Sequence, residues 1–346
     1  MKTLLSKQID DLKTYNDKPI GVFGARASGK TMFFTSLYAL ETMQQHNSNI
    51  KINCNDFETK EYLKNNYKYL IKGEFPPRTD ANNIHKINMT YTINNQKFSL
   101  KSIDFAGELL LGVPDEYKND YNVASYIKKK QELVFNFFAN CGGILIFLDP
   151  NNDIDESLQR ESEILKLLSS IKTLNPLYNS IPISLIITKW DLFNNNLSED
   201  NIDNEKEKAF NYINLHKIYN RIYQNIKSFS KKVDIFPISS SGNSCLEKDL
   251  MIKLSNPFNI FSPLLWISHY RNQIWYDEIV SLKNKPIKIK DFQDILEHYK
   301  IYSIDKEKIN NLEEILSIKI RNKKFKIIIL FFIIIILLIV LSWIFL

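Results

Sequence analysis

A chain of 346 residues, 44% hydrophobic and with only 9 Gly and 11 Pro, has the composition of one large folded domain or two small ones, and it carries no internal repeat. Its net charge of +6 is local: Lys319, Arg321, Lys323, Lys324 and Lys326 carry five of those charges, the rest of the chain is near +1, and this excludes a nucleic-acid footprint. Cys54, Cys141 and Cys245 are odd in number with no C-x-x-C, and His46, His85, His216, His269 and His298 stand apart from one another, so neither a disulfide framework nor a zinc site is implied and a reduced cytosol fits.

The opening MKTLLSKQIDDLK lacks the apolar run of a signal peptide. The spacing of Leu4, Leu5, Ile9 and Leu12 predicts a short amphipathic helix within 1–17. Residues 18–23 read as a strand and 29–42 as a helix, with GARASGKT at 24–31 between them. Gly24 and Gly29 let the backbone curl without Cβ clashes. The N–H groups along Gly24, Ala27, Ser28 and Gly29 then form an anion-binding nest, and the helix start adds its partly positive end. In that setting Lys30 reaches the β- and γ-phosphates of a nucleotide, and the Thr31 hydroxyl ligates Mg²⁺. Arg26 is the one charged side chain between the glycines. It either folds over the γ-phosphate as an arginine finger in cis or lies at the surface, pointing to solvent or pairing with an acid.

Residues 56–69 predict a polar helix, and 85–93 and 97–105 two strands joined as a hairpin at Asn94-Asn95. The second strand ends in DFAGE. Asp104 at a strand tip suits a magnesium site, often through water, and Gly107 lets its N–H approach a γ-phosphate. A helix over 123–140 precedes the apolar strand GILIFL at 143–148. DPNNDID at 149–155 lacks the glycine and the final glutamate of an EF-hand loop, so it reads as a turn into a helix over 155–174, capped by Asp153 or Asp155. ISLIIT at 183–188 is a second buried strand, followed by Lys189, Trp190 and Asp191. Guanine presents N1–H and a 2-amino group side by side, and one carboxylate, Asp191, accepts both, with the Lys189 stem along the base face. The alternative is that Asp191 only caps a helix. A long helical stretch over 204–232 leads to the last strand, 233–238, and to FPISSSG, where the Ser239-Ser240 backbone suits the guanine O6. Continuous apolar strands alternating with helices indicate an α/β fold with a mostly parallel sheet covered on both faces, and ligands at its carboxyl edge.

A closing helix at 263–280, a basic connector at 283–290 and a mostly helical 291–324 follow. The chain then reads IIILFFIIIILLIVLSWIFL over 327–346, with no charge. Twenty helical residues span about 30 Å, the hydrocarbon thickness of a bilayer. The basic flank before it predicts a tail anchor with everything upstream facing the cytoplasm.

GARASGKT, DFAG, TKWD and ISS, in this order and spacing, resemble the G1, G3, G4 and G5 boxes of the P-loop GTPases, over roughly residues 18–245. GEFPPRT at 73–79, two strands and then DFAGELL is similar to the double-GTPase proteins of bacterial conflict systems and to the YcjX-like GTPases. The resemblance implies the α/β, three-layer P-loop NTPase fold with a mostly parallel sheet, and GTP/GDP and Mg²⁺ as cofactors. It implies Thr79 as the switch threonine on the metal, at even odds with a plain loop residue, and Lys30, Glu108, Thr79 and Arg26 as the groups around the reacting phosphate. Two positions depart from the pattern. Thr188 replaces the usual Asn of the base loop, losing an amide that steadies it. Glu108 stands where many such enzymes carry a water-orienting Gln, so its carboxylate either positions the water or slows the attack.

The sequence thus predicts an N-terminal helix at 1–17, a GTPase domain at 18–282, a helical juxtamembrane stalk at 283–325 and a transmembrane anchor at 326–346. The expected activity is slow GTP hydrolysis as a switch that recruits or regulates a protein effector or activator at a membrane, the bacterial inner membrane, in bacterial defence, with no nucleic-acid partner. Two rivals stand beside it: a dynamin-like membrane remodeller, and a scaffold that holds GTP without turnover.

Overall fold

The structure, a computed structural model, describes residues 4–25, 27–42, 50–72, 74–77, 85–93, 96–104, 110–111, 121–151, 153–175, 178–194, 197–242, 257–303 and 305–344. In chain order the elements are α1 (Leu4–Lys13), β1 (Ile20–Gly24), α2 (Lys30–Thr42), β2 (Ile50–Cys54), α3 (Phe57–Ile71), β3 (His85–Ile93), β4 (Gln96–Asp104), α4 (Tyr121–Ala139), β5 (Gly143–Leu148), α5 (Ile154–Leu174), β6 (Ile183–Ile187), α6 (Ile202–Leu215), α7 (Lys217–Phe229), β7 (Val233–Pro237), α8 (Ser262–Ser281), α9 (Ile289–Tyr302) and α10 (Lys306–Ile344). They form two compact units, Asn16–Arg271 and Met1–Tyr15 with Asn272–Leu346.

The first unit is built on a seven-stranded sheet in the order β2-β3-β4-β1-β5-β6-β7. The strands β4, β1, β5, β6 and β7 are parallel, while β3 runs antiparallel to β4 and β2. Strands β1, β5 and β6 are buried throughout, which is why their sequences are continuous apolar runs. The pleat still sorts them. Ile144, Ile146 and Leu148 face one core with Leu167, Ile171 and Ile226, and Leu145 and Phe147 face the other with Phe33, Phe34 and Leu264. The expected α/β fold with a mostly parallel sheet is therefore present.

Three local features differ from the expectation or settle it. The edge strand β2 was not foreseen. Its signal is the alternation in Ile50-Lys51-Ile52-Asn53, buried then exposed, in a run of five residues. The helical stretch expected over 204–232 is two helices. His216 adopts extended backbone (φ −97°, ψ 108°) between α6 and α7, and its ring stacks on Tyr212 with centroids 4.0 Å apart. Asp153, not Asp155, caps α5, its side chain accepting from the Glu156 N–H at 2.8 Å.

The second unit gathers α1, the last turns of α8, α9 and the first part of α10 around Ile9, Leu12, Trp275, Phe292, Tyr299 and Leu312. The Trp275 indole donates to Leu12 O at 3.2 Å, and Lys13 reaches Asp291 at 2.8 Å. The residues expected as a stalk thus share a small core with the N-terminal helix. Helix α10 runs unbroken through the basic flank to Ile344. Among the described residues no helix is long and apolar enough to cross a membrane. The transmembrane helix expected at 326–346 is therefore not found among them, because the side chains at 336 and 338–346 lie outside the described residues. Those that are described, from Ile327 to Ile334, are exposed.

Gly21 shows how tightly the sheet unit is packed. A Cβ there would lie 2.7 Å from Cys141 Sγ and 2.9 Å from Phe138 Cε1. Gly21→Ala is expected to overpack this face and to lower stability by about 1–3 kcal/mol, read as an earlier urea midpoint.

Candidate functional site

The parallel strands deliver four turns to one edge of the sheet: 24–30 after β1, 149–153 after β5, 188–192 after β6 and 238–242 after β7. The first is held closed on itself. Lys30 Nζ, 7% exposed, donates to Gly24 O at 2.5 Å and Ala25 O at 2.8 Å, and Ser28 Oγ donates to Ala25 O at 2.8 Å. Ala27 and Gly29 take left-handed backbone, with φ of 64° and 87°. For Ala27 that conformation is strained; for Gly29 it is free. Gly24 also has no room for a Cβ, which would sit 2.5 Å from Ser28 Oγ and 2.8 Å from Phe147 Cβ. Helix α2 begins at Lys30; the Ser28 N–H donates to Ala25 O at 3.2 Å and the Phe33 N–H to Gly29 O at 2.9 Å, so the loop is tied at both ends where the helix presents its partly positive end.

The β6 turn touches this loop. A Cβ on Gly29 would meet the Thr188 side chain at 3.3 Å. Thr188 has no amide to give, but its hydroxyl and its N–H both donate to Leu148 O at 3.0 Å, tying the turn to β5. Lys189 is left-handed (φ 54°), and its ammonium pairs with the buried Asp149 carboxylate. Asp191 lies 3% exposed in the short turn Trp190–Leu192, whose N-cap is Lys189, so Asp191 does not cap it. Burial raises the Asp191 carboxyl above its ordinary range, and hydrogen bonds from Ser239 and from its own backbone N–H, with the Lys189 charge, lower it less than burial raises it. Ser239 is buried in the β7 turn, and Ser240 O accepts from Ser36 Oγ at 2.8 Å, fastening that turn to α2.

The structure thus brings Gly24, Ala27, Ser28, Gly29, Lys30, Thr31, Thr188, Lys189, Asp191, Ser239 and Ser240 to one edge. Asp104 ends β4 at the same edge, since β4 runs parallel to β1 with Ser102 beside Val22. Its side chain, and Arg26, Thr79, Gly107 and Glu108 altogether, lie outside the described residues. Among the described residues no group of three His, Cys, Asp or Glu side chains stands ready for a metal. A hydroxyl and one carboxylate fit Mg²⁺ shared with phosphates and water, not a cage made of protein alone. The Lys30 ammonium, buried and donating to Gly24 O and Ala25 O at the mouth of the loop, fits an anion there.

Two supporting groups were not foreseen. Asp149 was read as part of a turn, yet it orients Lys189 and its carboxylate accepts the Asn151 N–H at 3.0 Å. Glu205, 2% exposed, accepts from the Trp190 indole at 2.7 Å, the Asn194 amide at 2.8 Å and Lys208 at 2.7 Å. Burial works to raise the Glu205 carboxyl, but these three partners outweigh it and hold it below its ordinary value. Asp149 had a signal in its position at the end of a buried strand. Glu205, on a polar helix, had none.

Residues 22–140 match the family model described as Double-GTPase 1, which covers the span from β1 through α4. No curated protein matches the chain. Among solved structures, it is similar to the ADP-ribosylation-factor-like GTP-binding protein, small COPII coat GTPase SAR1, from Encephalitozoon cuniculi in complex with GDP, at 13% identity over 78% of this chain and 88% of that one. The TM-score is 0.32, and the likeness carries no argument.

Because the folded-state value of Asp191 is raised, the stability it contributes is present below the ordinary carboxylate range and is lost as pH rises through that raised value. Asp191→Asn is expected to melt at or above the wild type at pH 7. Its advantage should shrink as the pH is lowered, and its guanine-nucleotide affinity should fall roughly a hundredfold, about 2–3 kcal/mol. Thermal melts across pH, paired with titration calorimetry, check both halves.

Proposed function

We propose that this chain, a P-loop GTPase of the double-GTPase type over residues 22–140, binds GTP with Mg²⁺ and hydrolyses it slowly as a membrane-bound switch. The observation that carries the reading is one edge of one sheet holding both the closed 24–30 loop and the Asp191 turn. A buried lysine closes an anion loop there, and a buried carboxylate with a raised pKa sits beside Ser239 on the adjoining turns. Adenine offers no paired donors to Asp191 and would leave that buried carboxylate unanswered.

In this reading Lys30 leaves the loop carbonyls for the β- and γ-phosphate oxygens, and the loop N–H groups hold the phosphate chain. The Thr31 hydroxyl and Asp104, with Thr79 from the switch segment, would hold Mg²⁺, which would supply charge to offset that of the phosphates. Gly107 would bring its N–H to the γ-phosphate; the Glu108 carboxylate would either position the attacking water or slow its attack, and Arg26 would either reach over the transferred group or lie at the surface. Ordering of the segments around Thr79 and Gly107 on the γ-phosphate gives the switch. The apolar 327–346 and its basic flank support a C-terminal anchor, with the sheet unit on the cytoplasmic side of a bacterial inner membrane and free to recruit or regulate a protein effector. Bacterial defence as the setting rests on the sequence resemblance alone.

Purified protein is expected to prefer GTP over ATP by at least a hundredfold and to release phosphate from GTP under single-turnover conditions. Equal affinity for the two nucleotides removes the guanine assignment, and tight binding without phosphate release leaves a GTP-holding scaffold. Full-length protein is expected in the membrane pellet after carbonate washing; its recovery in the supernatant removes the anchor.

A further inference from the structure

The second unit contains a basic surface made from two separate stretches of chain. Residues 283–290 carry four lysines and no acid, and residues 319–326 carry five basic residues and no acid. The fold joins them. Lys319 Nζ donates to Lys285 O at 3.3 Å and lies 5.9 Å from the centre of the Phe292 ring, so the α8–α9 connector abuts α10 where the basic flank begins. The acids nearest in sequence, Asp291 and Asp294, are engaged by Lys13 at 2.8 and 3.4 Å. Lys283, Lys288 and Lys290 are exposed, as is every residue from Arg321 to Lys326.

Distance along α10 assigns this surface a partner. Lys319 precedes Ile327, the first residue of the apolar stretch, by eight positions on an unbroken helix. At 1.5 Å per residue this is about 12 Å, within a headgroup layer plus one Debye length of the apolar boundary. A second patch of lysines held at that height meets the negative potential of an anionic leaflet, which attracts each positive group near it. Lys285 donates to Gln8 Oε1 at 2.9 Å, so the exposed positive groups of the surface are Lys283, Lys288, Lys290, Arg321, Lys323, Lys324 and Lys326.

We propose that the connector lysines and the α10 flank form one collar that binds anionic phospholipid headgroups, so that the helical unit is docked against the leaflet and not merely tethered to it. The proposal rests on the reading of 327–346 as a bilayer anchor. Its distinctive content is that residues 283–290, remote in sequence from the anchor, belong to the lipid site.

The test uses the full chain in mixed micelles titrated with phosphatidylglycerol or phosphatidylcholine, with retained lipids counted by native mass spectrometry. The wild type should retain phosphatidylglycerol at least tenfold more strongly than phosphatidylcholine, and 0.5 M salt should abolish the difference. K283Q/K288Q/K290Q, all exposed positions, should lose at least tenfold of that preference while its melting temperature and its resistance to carbonate washing stay unchanged. Equal retention of the two lipids by the wild type, or unchanged retention by a folded and inserted triple variant, overturns the collar and leaves the anchor standing. So does competition of duplex DNA for the same lysines in preference to lipid. Full-length protein in the carbonate supernatant overturns the anchor, and the collar with it.

Discussion

A buried ammonium is the constraint around which the sheet unit is arranged. Lys30 is withdrawn from water at the start of α2, and a charge so placed must be met by oxygens. Gly24 O and Ala25 O meet it, which requires the chain to double back within six residues of β1. That reversal requires left-handed backbone at Ala27 and Gly29 and leaves no space for a Cβ at Gly24. Helix α2 in turn cannot shift, because Phe33 and Phe34 are fully buried beneath it, with Phe33 edge-on to Phe147 at 5.1 Å. The loop is therefore preformed, and ordering it adds little to the cost of binding an anion.

The base side shows how environment separates two buried carboxylates. Glu205 is satisfied by an indole, an amide and an ammonium and sits below its ordinary pKa; Asp191 is less well answered and sits above it. The first holds Trp190 and hence the turn in place. The second retains acceptor capacity, and a buried acceptor with that capacity favours a ligand bearing paired donors. Thr188 fits this division of labour. It lacks the amide of the usual asparagine, but it anchors the turn to Leu148 O and sets its side chain against Gly29. The 24–30 loop and the 188–192 turn thus adjoin one another at the sheet edge.

The helical unit solves a different problem. Helix α1 is too short to be stable alone, and its apolar face is covered by α9 and by Trp275. Helix α10 contributes Leu312 and Ile315 to that core and then continues beyond it, past the basic flank into the apolar stretch. A helix fixed at one end by a packed core transmits its orientation along its length, which a flexible linker would not.

The sequence alone determined the tight loop at 24–30, the Asp191 turn, the mostly parallel α/β class and the apolar tail, because each is written in local chemistry. Gly24, Gly29, Lys30 and Thr31 lie within one short loop; strand burial shows as continuous apolar runs; an uncharged run of Ile, Leu and Phe is visible without any partner. Other features were decided only by tertiary structure, because their cause lies far away in the chain. The edge strand β2 exists because β3 offers it an antiparallel partner. The break at His216 divides the stretch into α6, which packs on β7, and α7, which packs on α5. Glu205 is structural because the fold carries Trp190, Asn194 and Lys208 to it. The 283–290 lysines adjoin the flank because α9 turns the chain back along α10. Local periodicity carries no record of such long-range pairings, and only the packed chain expresses them.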